Sequence, residues 1–213
     1  MEIVCAASQR LGRPMTIESN DRCIIDEGIR RLMRCLGRGE CLQQVADTPK
    51  RVLRAYEEMT AGYSVDVPSL FKVFETESDS MVVFAGLRFT SLCEHHLMPF
   101  SGTAAIGYIP SRKDDSVLSH VIGASKSARI LNAYAQRFQL QERLCTQIAD
   151  AFVEHLTKHV IVMLRAKHAC MGCRGVKQPD SCMVSTTLRG CFGENSEARE
   201  EFYRQVQHAE HMT

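Results

Sequence analysis

The hydrophobic period of the chain changes several times, and the order of these changes restricts the fold. Apolar residues recur at three- and four-residue steps in 20–36 and 49–59, which predicts two amphipathic helices. The period is two over 70–109, as in strands, and helical again over 125–156 with a break near Phe138. The predicted order ends with two strands and a C-terminal helix, at 160–170, 183–188 and 198–206. Strand runs joined by short turns predict an α+β domain with a mostly antiparallel sheet and helices on one side of it.

Three parts of the chain differ in this pattern. Residues 1–18 mix glycine, proline and charges without a period, so we expect a flexible N-terminal arm. The two predicted helices form an N-terminal helical segment over 19–65, and the rest forms the main domain over 66–213. Within that domain, the polar stretch 111–120 is predicted to be a surface loop. A chain of 213 residues, 45% hydrophobic and 24% charged, has room for one good-sized domain, or for a domain with a helical appendage.

Charge, hydropathy and cysteine content argue against a nucleic-acid-binding protein, a membrane protein and a disulfide-rich secreted protein. The formal net charge is +1, so no global basic field favours nucleic acid, and an anionic ligand needs a local cluster of cations. We find no early apolar run long enough for a signal peptide or a membrane helix, so a cytoplasmic location is expected. Ten irregularly spaced cysteines then predict buried thiols and a few metal ligands in place of disulfides.

One thiol and two imidazoles lie close together at the end of a predicted strand. Cys93 and His96 are three residues apart, a spacing that lets a turn bring sulfur and nitrogen onto one ion, and this donor pair suits zinc. A third ligand must come from elsewhere, and Cys170 is the candidate. If the strand before it continues, His168 shares a face with Cys170, and His95 lies near the ion as well. Three protein ligands leave a fourth position for water, which is typical of catalytic zinc.

Two other interpretations of these residues stay open at this point. Cys93 and His96 alone are also compatible with chance polar residues at a strand end. Cys170 and Cys173 form a Cys-x-x-Cys pair, which serves in other proteins as half of a structural zinc site or as a redox pair. A second Cys-x-x-Cys that would complete four thiolates does not occur in the sequence.

A separate cluster of residues suits an anion. Ser125, Lys126 and Arg129 stand at the start of a predicted helix, where free amides and nearby cations favour phosphate. Arg174 adds a cation four residues after Cys170. Two further residues are candidates for ligand contacts. Arg51, in the first turn of its helix, is either a solvated side chain or faces an anion. Glu142 is either a solvated side chain or a carboxylate that accepts hydrogen bonds from a ligand.

These residues fall in blocks that resemble GTP cyclohydrolase I. The blocks are DTPKRV at 47–52, CEHH at 93–96, GASKSARI at 123–130, QLQERL at 139–144, HACM at 168–171 and RGV at 174–176. They occur in the family's order and cover about 20–208. The resemblance implies the tunnelling fold, an antiparallel four-stranded sheet backed by helices, in a ring-shaped homodecamer with active sites between subunits. It also implies conversion of GTP to 7,8-dihydroneopterin triphosphate and formate.

The resemblance further implies a role for each site residue. Cys93, His96 and Cys170 would bind Zn²⁺, while His95 and His168 would transfer protons. Ser125 would assist the later ribose rearrangement. The residues implied to bind substrate are Glu142 at the guanine, Gln141, and Lys126, Arg129, Arg174 and Arg51 at the triphosphate. Arg51 would come from a neighbouring subunit.

The sequence departs from the family pattern in two respects. The stretch 111–122 is longer than expected, which affects the entrance to the site, and Cys173, Cys182 and Cys191 are additional thiols near it. A catalytically silent relative that acts as an interaction ring is the alternative from another functional class. The retained metal, proton-transfer and base-binding residues argue against this alternative.

Overall fold

The computed structural model describes residues 17–37, 45–111 and 118–211. The N-terminal helices are α1 (Ser19–Leu36) and α2 (Thr48–Met59), followed by two 3₁₀ turns at Ala61–Ser64 and Pro68–Leu70. The main domain contains β1 (Val73–Thr76), β2 (Val82–Cys93), β3 (Met98–Tyr108), β4 (Ser119–Ile122), α3 (Ala124–Ala135), β5 (Phe138–Gln139), α4 (Gln141–His155), β6 (Val160–His168), α5 (Ala169–Gly172), β7 (Met183–Arg189), α6 (Cys191–Glu194) and α7 (Ser196–His211).

The main sheet has five strands in the order β5-β2-β3-β6-β7. The four longer strands pair antiparallel, and the two-residue strand β5 pairs parallel with the end of β2. The predicted α+β class is therefore confirmed, whereas the sheet is mixed and five-stranded instead of four-stranded. The fifth strand consists of Phe138 and Gln139, which lie at the predicted break between α3 and α4. It forms because these two residues pair with the end of β2.

A second, two-stranded sheet joins β1 to β4 in antiparallel fashion. Ser119 and His120, which we predicted to lie in a surface loop, are the first residues of β4. Backbone pairing with Glu75 and Thr76 extends them, although their own sequence is polar. Residues 112–117 of the predicted loop lie outside the described residues.

Helices cover both faces of the main sheet. Val160 and Val162 belong to the core beneath α3 and α4, whereas Ile161, between them, packs with Phe202 and Val206 of α7. Our prediction of helices on one side is therefore wrong. Since Phe202 is fully buried, it secures α7 to the second face by roughly 1.5–3 kcal/mol of apolar burial. The approach is close, because a Cβ on Gly107 would lie 2.5 Å from the Phe202 ring.

Helices α2 and α7 begin within two residues of their predicted ranges, and helix α1 is left uncovered by the described residues. Thr48 and Pro49 begin α2, and the Asn195 side-chain oxygen accepts hydrogen bonds from the first-turn amides of α7 at 2.8 and 3.2 Å. In α1, none of the residues is buried among the described parts of the chain. Its apolar residues Ile24 and Leu36 are 63% and 77% exposed.

Some predictions are not decided by this fold. Residues 1–16 of the expected N-terminal arm lie outside the described residues, and the division of the chain at residue 65 stays a prediction. Within 17–37, 45–111 and 118–211, no helix is both long and apolar enough to cross a membrane.

Candidate active site

The first part of the site is the turn that connects β2 to β3. Cys93 ends β2, Met98 begins β3, and these two residues face each other in the strand register. The Leu97 amide donates to the Cys93 carbonyl at 2.8 Å, and the His96 amide donates to the same oxygen at 3.3 Å. The turn thus places the buried Cys93 side chain and the exposed His96 side chain at the same end of the sheet.

The second part comes from the end of β6. Because β3 and β6 are antiparallel with Phe100 opposite His168, the residues that follow His168 reach the β2–β3 turn. Cys170 does not continue the strand, as we had expected, but lies in the helical turn α5. The argument that His168 and Cys170 share a strand face is therefore wrong. The strand register, not the alternation of side chains, brings Cys170 to the turn.

Three ligand atoms meet at this point, one from each of Cys93, His96 and Cys170, and all lie within 4.8 Å of one another. The Cys93 Sγ and His96 Nδ1 atoms are 3.7 Å apart. Tetrahedral zinc with ordinary bond lengths separates a sulfur and a nitrogen ligand by about 3.6 Å, so the spacing fits. Two thiols with an imidazole also form a soft donor set that suits zinc better than magnesium or calcium.

Without a bound cation, the surroundings of the Cys170 thiol raise its pKa and so favour its neutral form. Burial raises the pKa of the Cys170 thiol, and the adjacent Cys93 sulfur raises it further. The positive charge of Arg174 acts in the opposite direction. A bound metal cation would reverse this balance, because it stabilises thiolates directly.

His168 lies beside this group in a fixed orientation. Its ring stacks on Phe100, with centroids 4.5 Å apart and planes 4° from parallel. Its Nε2 atom is 2.9 Å from Gln141 Oε1. Burial lowers the pKa of His168, while the Glu142 carboxylate raises it to a lesser extent. His168, Gln141 and Glu142 therefore form one cluster at the start of α4.

The other predicted site residues lie around these two groups. His95 is exposed, with its ring centroid 6.2 Å from that of His96. Ser125, Lys126 and Arg129 occupy the first two turns of α3, Arg174 follows α5, and Arg51 is exposed in the first turn of α2. In the part of the chain that the structure describes, none of these four cations forms an ion pair with a carboxylate.

Sequence reasoning missed a set of residues that supports the β2–β3 turn. Arg143 of α4 forms an ion pair with Glu94, the residue between Cys93 and His95. Arg143 Nε also donates to Gln139 Oε1 at 3.0 Å, and the Glu94 amide donates to the Gln139 carbonyl at 3.1 Å. The one available signal was the position of Arg143 in the QLQERL block.

The additional cysteines are not members of the candidate metal-donor group found among the described residues. Cys173 and Cys182 are exposed, and Cys191 is half-buried at the start of α6. Among the described residues, the group of donor atoms includes Cys170 but not Cys173. Cys170 lies within the helical turn α5, which follows β6, and Cys173 comes directly after its last residue, so the role of this Cys-x-x-Cys pair as a redox pair stays a hypothesis.

Comparison with known proteins identifies the family of the chain. The family model for GTP cyclohydrolase I matches residues 25–207. The GTP cyclohydrolase 1 of Dehalococcoides mccartyi is 38% identical over 190 residues, which are 88% of this chain and 98% of the relative. The enzyme of Desulforamulus reducens is 40% identical over 179 residues, which are 83% of this chain and 92% of the relative. The enzyme of Wolinella succinogenes is 38% identical over 187 residues, which are 86% of this chain and 96% of the relative. The chain therefore belongs to the GTP cyclohydrolase I family of hydrolytic enzymes.

Proposed function

We propose that this chain converts GTP and water to 7,8-dihydroneopterin triphosphate and formate, the first step of pterin and tetrahydrofolate biosynthesis. The observation that carries the proposal is the group formed by Cys93, His96 and Cys170, beside which His168 is held at the start of α4. A metal-donor group next to an oriented imidazole suits hydrolysis of the guanine imidazole ring. The names of the family and of the relatives support the same reaction.

The donor set fits zinc, and Cys93, His96 and Cys170 would hold it. When bound, Zn²⁺ would supply Lewis-acid chemistry, which makes water nucleophilic near neutral pH. His168 and His95 would move protons at the guanine C8 and the opening ribose. Ser125, exposed at the start of α3, would assist the ribose rearrangement that follows.

Glu142 would select guanine. Its carboxylate is exposed in the first turn of α4, close enough to His168 for its charge to affect that residue's pKa. It would accept hydrogen bonds from both the guanine N1–H and the exocyclic amine. Adenine lacks this pair of donors, so ATP would leave the carboxylate unsatisfied.

The triphosphate would bind to Lys126, Arg129, Arg174 and Arg51. These cations have no carboxylate partner in the described residues, so their charges are available to an anion. Lys126 and Arg129 also lie near the positive end of the α3 dipole. Arg51 would reach the site of a neighbouring subunit.

We further propose that the chain has the tunnelling fold and forms a cytoplasmic homodecamer with active sites between subunits. Two features support assembly. The apolar face of α1 is uncovered by the described part of the chain, and β7 is an outer strand of the main sheet, with Val184 57% exposed. In this assembly 66–213 would be the catalytic domain and 19–65 a helical segment.

The test is a GTP assay on zinc-loaded protein whose mass in solution has been measured by light scattering. We expect formate and, after oxidation, a fluorescent pterin. A chelator should abolish both products, zinc should restore them, and Cys93→Ser should remain inactive at any zinc concentration. Absence of both products from the zinc-loaded chain contradicts the proposal. Binding of GTP without turnover would instead favour the interaction ring.

A further inference from the structure

Gln141 is the first residue of α4, and its side chain is almost completely buried, with 1% exposure. Its amide nitrogen donates to two backbone carbonyls on different strands, Leu164 of β6 at 3.2 Å and Met183 of β7 at 3.0 Å. The amide oxygen lies 2.9 Å from His168 Nε2. All three contacts are made inside the chain.

These contacts determine which end of the amide faces His168. A primary amide has two N–H donors, and here two carbonyl oxygens accept them. The opposite orientation would place the amide oxygen against both carbonyl oxygens and leave these buried acceptors unpaired, which is unfavourable. The oxygen of Gln141 therefore faces His168, and it can only accept a hydrogen bond.

From this we propose that Gln141 is a positioning residue that sets the tautomer of His168. Because Gln141 Oε1 accepts, His168 Nε2 must carry the hydrogen. The lone pair of the neutral ring is then on Nδ1, where proton exchange with substrate takes place. Gln141 accepts from Nε2–H in both the neutral and the protonated ring, so the ring does not have to turn during proton transfer. The stack on Phe100 fixes the plane of the ring.

This assignment differs from the substrate-binding role that the family resemblance implies for the Gln141 side chain. Both donors and the acceptor atom of Gln141 are already used within the chain, and its exposure is 1%. The inference deepens the proposed function, because it rests on His168 as a proton-transfer residue. Gln141 itself would act through that ring and not on the substrate.

The first measurement reads the tautomer without turnover. Zinc-loaded protein labelled with ¹⁵N-histidine is studied by magic-angle-spinning NMR at pH 8.5, where neutral imidazole dominates. The His168 signals are assigned by their loss in His168→Asn. We expect a pyrrole-type Nε2 and a pyridine-type Nδ1. A hydrogen on Nδ1 in the native protein would overturn the proposal, even if the protein has no cyclohydrolase activity.

The second measurement separates positioning from substrate binding. Gln141→Met keeps the side-chain length and removes its polar atoms, and we expect kcat for GTP to fall about 10- to 100-fold with KM changed less than about threefold. The His168 nitrogen signals should shift towards the other tautomer while bound zinc and the circular dichroism spectrum stay native. Gln205→Met, which removes a hydrogen bond to Glu201 on α7, is the matched control.

Two results for Gln141→Met would contradict the inference. Unchanged His168 signals would show that another group sets the tautomer. A raised KM with normal kcat would show that the Gln141 side chain binds substrate. If Gln141→Met does not fold, the tautomer in the native protein remains decisive.

Discussion

The Tyr56 hydroxyl donates a hydrogen bond to the carbonyl oxygen of Leu97, 2.8 Å away, and so connects α2 to the β2–β3 turn that carries Cys93 and His96. Leu97 has a φ of 54°, in the left-handed region that non-glycine residues rarely adopt. That conformation costs roughly 1–2 kcal/mol and persists only where surrounding contacts hold it. Tyr56 is one of those contacts, although nothing in the sequence pattern marked it as part of the site.

Tyr56→Phe should therefore weaken zinc binding without removing any ligand. Loss of one hydrogen bond costs about 1 kcal/mol, so we expect the zinc Kd to rise about fivefold. Competition with a chromophoric chelator measures this change. Tyr203→Phe, a matched exchange on α7, should leave the Kd unchanged. An unchanged Kd in Tyr56→Phe would mean that the turn keeps its shape without α2.

Glu94 and Arg143 should act as a unit in holding the same turn. We expect Glu94→Gln and Arg143→Met each to weaken zinc binding about tenfold, within the range seen for outer-shell partners of metal ligands. The double variant should bind zinc no more weakly than either single variant. Additive losses in this double-mutant cycle would contradict the idea. Arg189→Met breaks the comparable pair with Asp150, and it should leave zinc binding unaffected.

Glu142→Ala should separate base recognition from metal binding. We expect kcat/KM for GTP to fall about 10³-fold and the preference over ATP to be lost, because in the proposed function the carboxylate would supply the discriminating hydrogen bonds. Bound zinc, measured by elemental analysis, should remain at the native level. Glu154→Ala, in the same helix, provides the control. Simultaneous loss of zinc would show that the two functions are not separate.

The buried Cys145 thiol should resist alkylation. Burial raises the pKa of Cys145 to about 11, so at pH 8 it holds almost no thiolate. Iodoacetamide at that pH should modify the exposed Cys173 and Cys182 while it spares Cys145, as followed by peptide mass spectrometry. Because the raised pKa favours the neutral thiol, this contribution to stability is present below pH 9 and is lost as the pH rises towards 11. Rapid labelling of Cys145 in the folded protein would contradict its burial.

Phe202→Ala should lower the free energy of unfolding by about 3–5 kcal/mol. The reason is that Phe202 is fully buried between α7 and the sheet face that carries Ile161. Urea denaturation at fixed protein concentration gives the change. Tyr203→Ala, at the half-buried neighbouring position, should cost clearly less. Equal losses would mean that α7 is held in a different way.

Long elements and the metal donors were predictable from the sequence. The periods of α1, α2, α4, β2 and β6 extend over enough residues to be read directly, and Cys93, His96 and Cys170 are rare, chemically distinctive side chains. Short elements were not predictable. The two-residue strand β5 and the polar start of β4 are too short or too polar to show a hydrophobic period. Both become strands because a neighbouring strand supplies hydrogen-bond partners.

The sequence by itself determined the chemistry available to this protein: two thiols, several imidazoles, a carboxylate and a set of cations in a recognisable order. Only the tertiary structure decided which of these groups meet. The β3–β6 register brought Cys170 to the β2–β3 turn, and the hydrogen bonds of the buried Gln141 amide to carbonyls of β6 and β7 directed its oxygen to His168. The partner of a polar side chain depends on what surrounds it once water is excluded, and residues distant in the chain supply those surroundings.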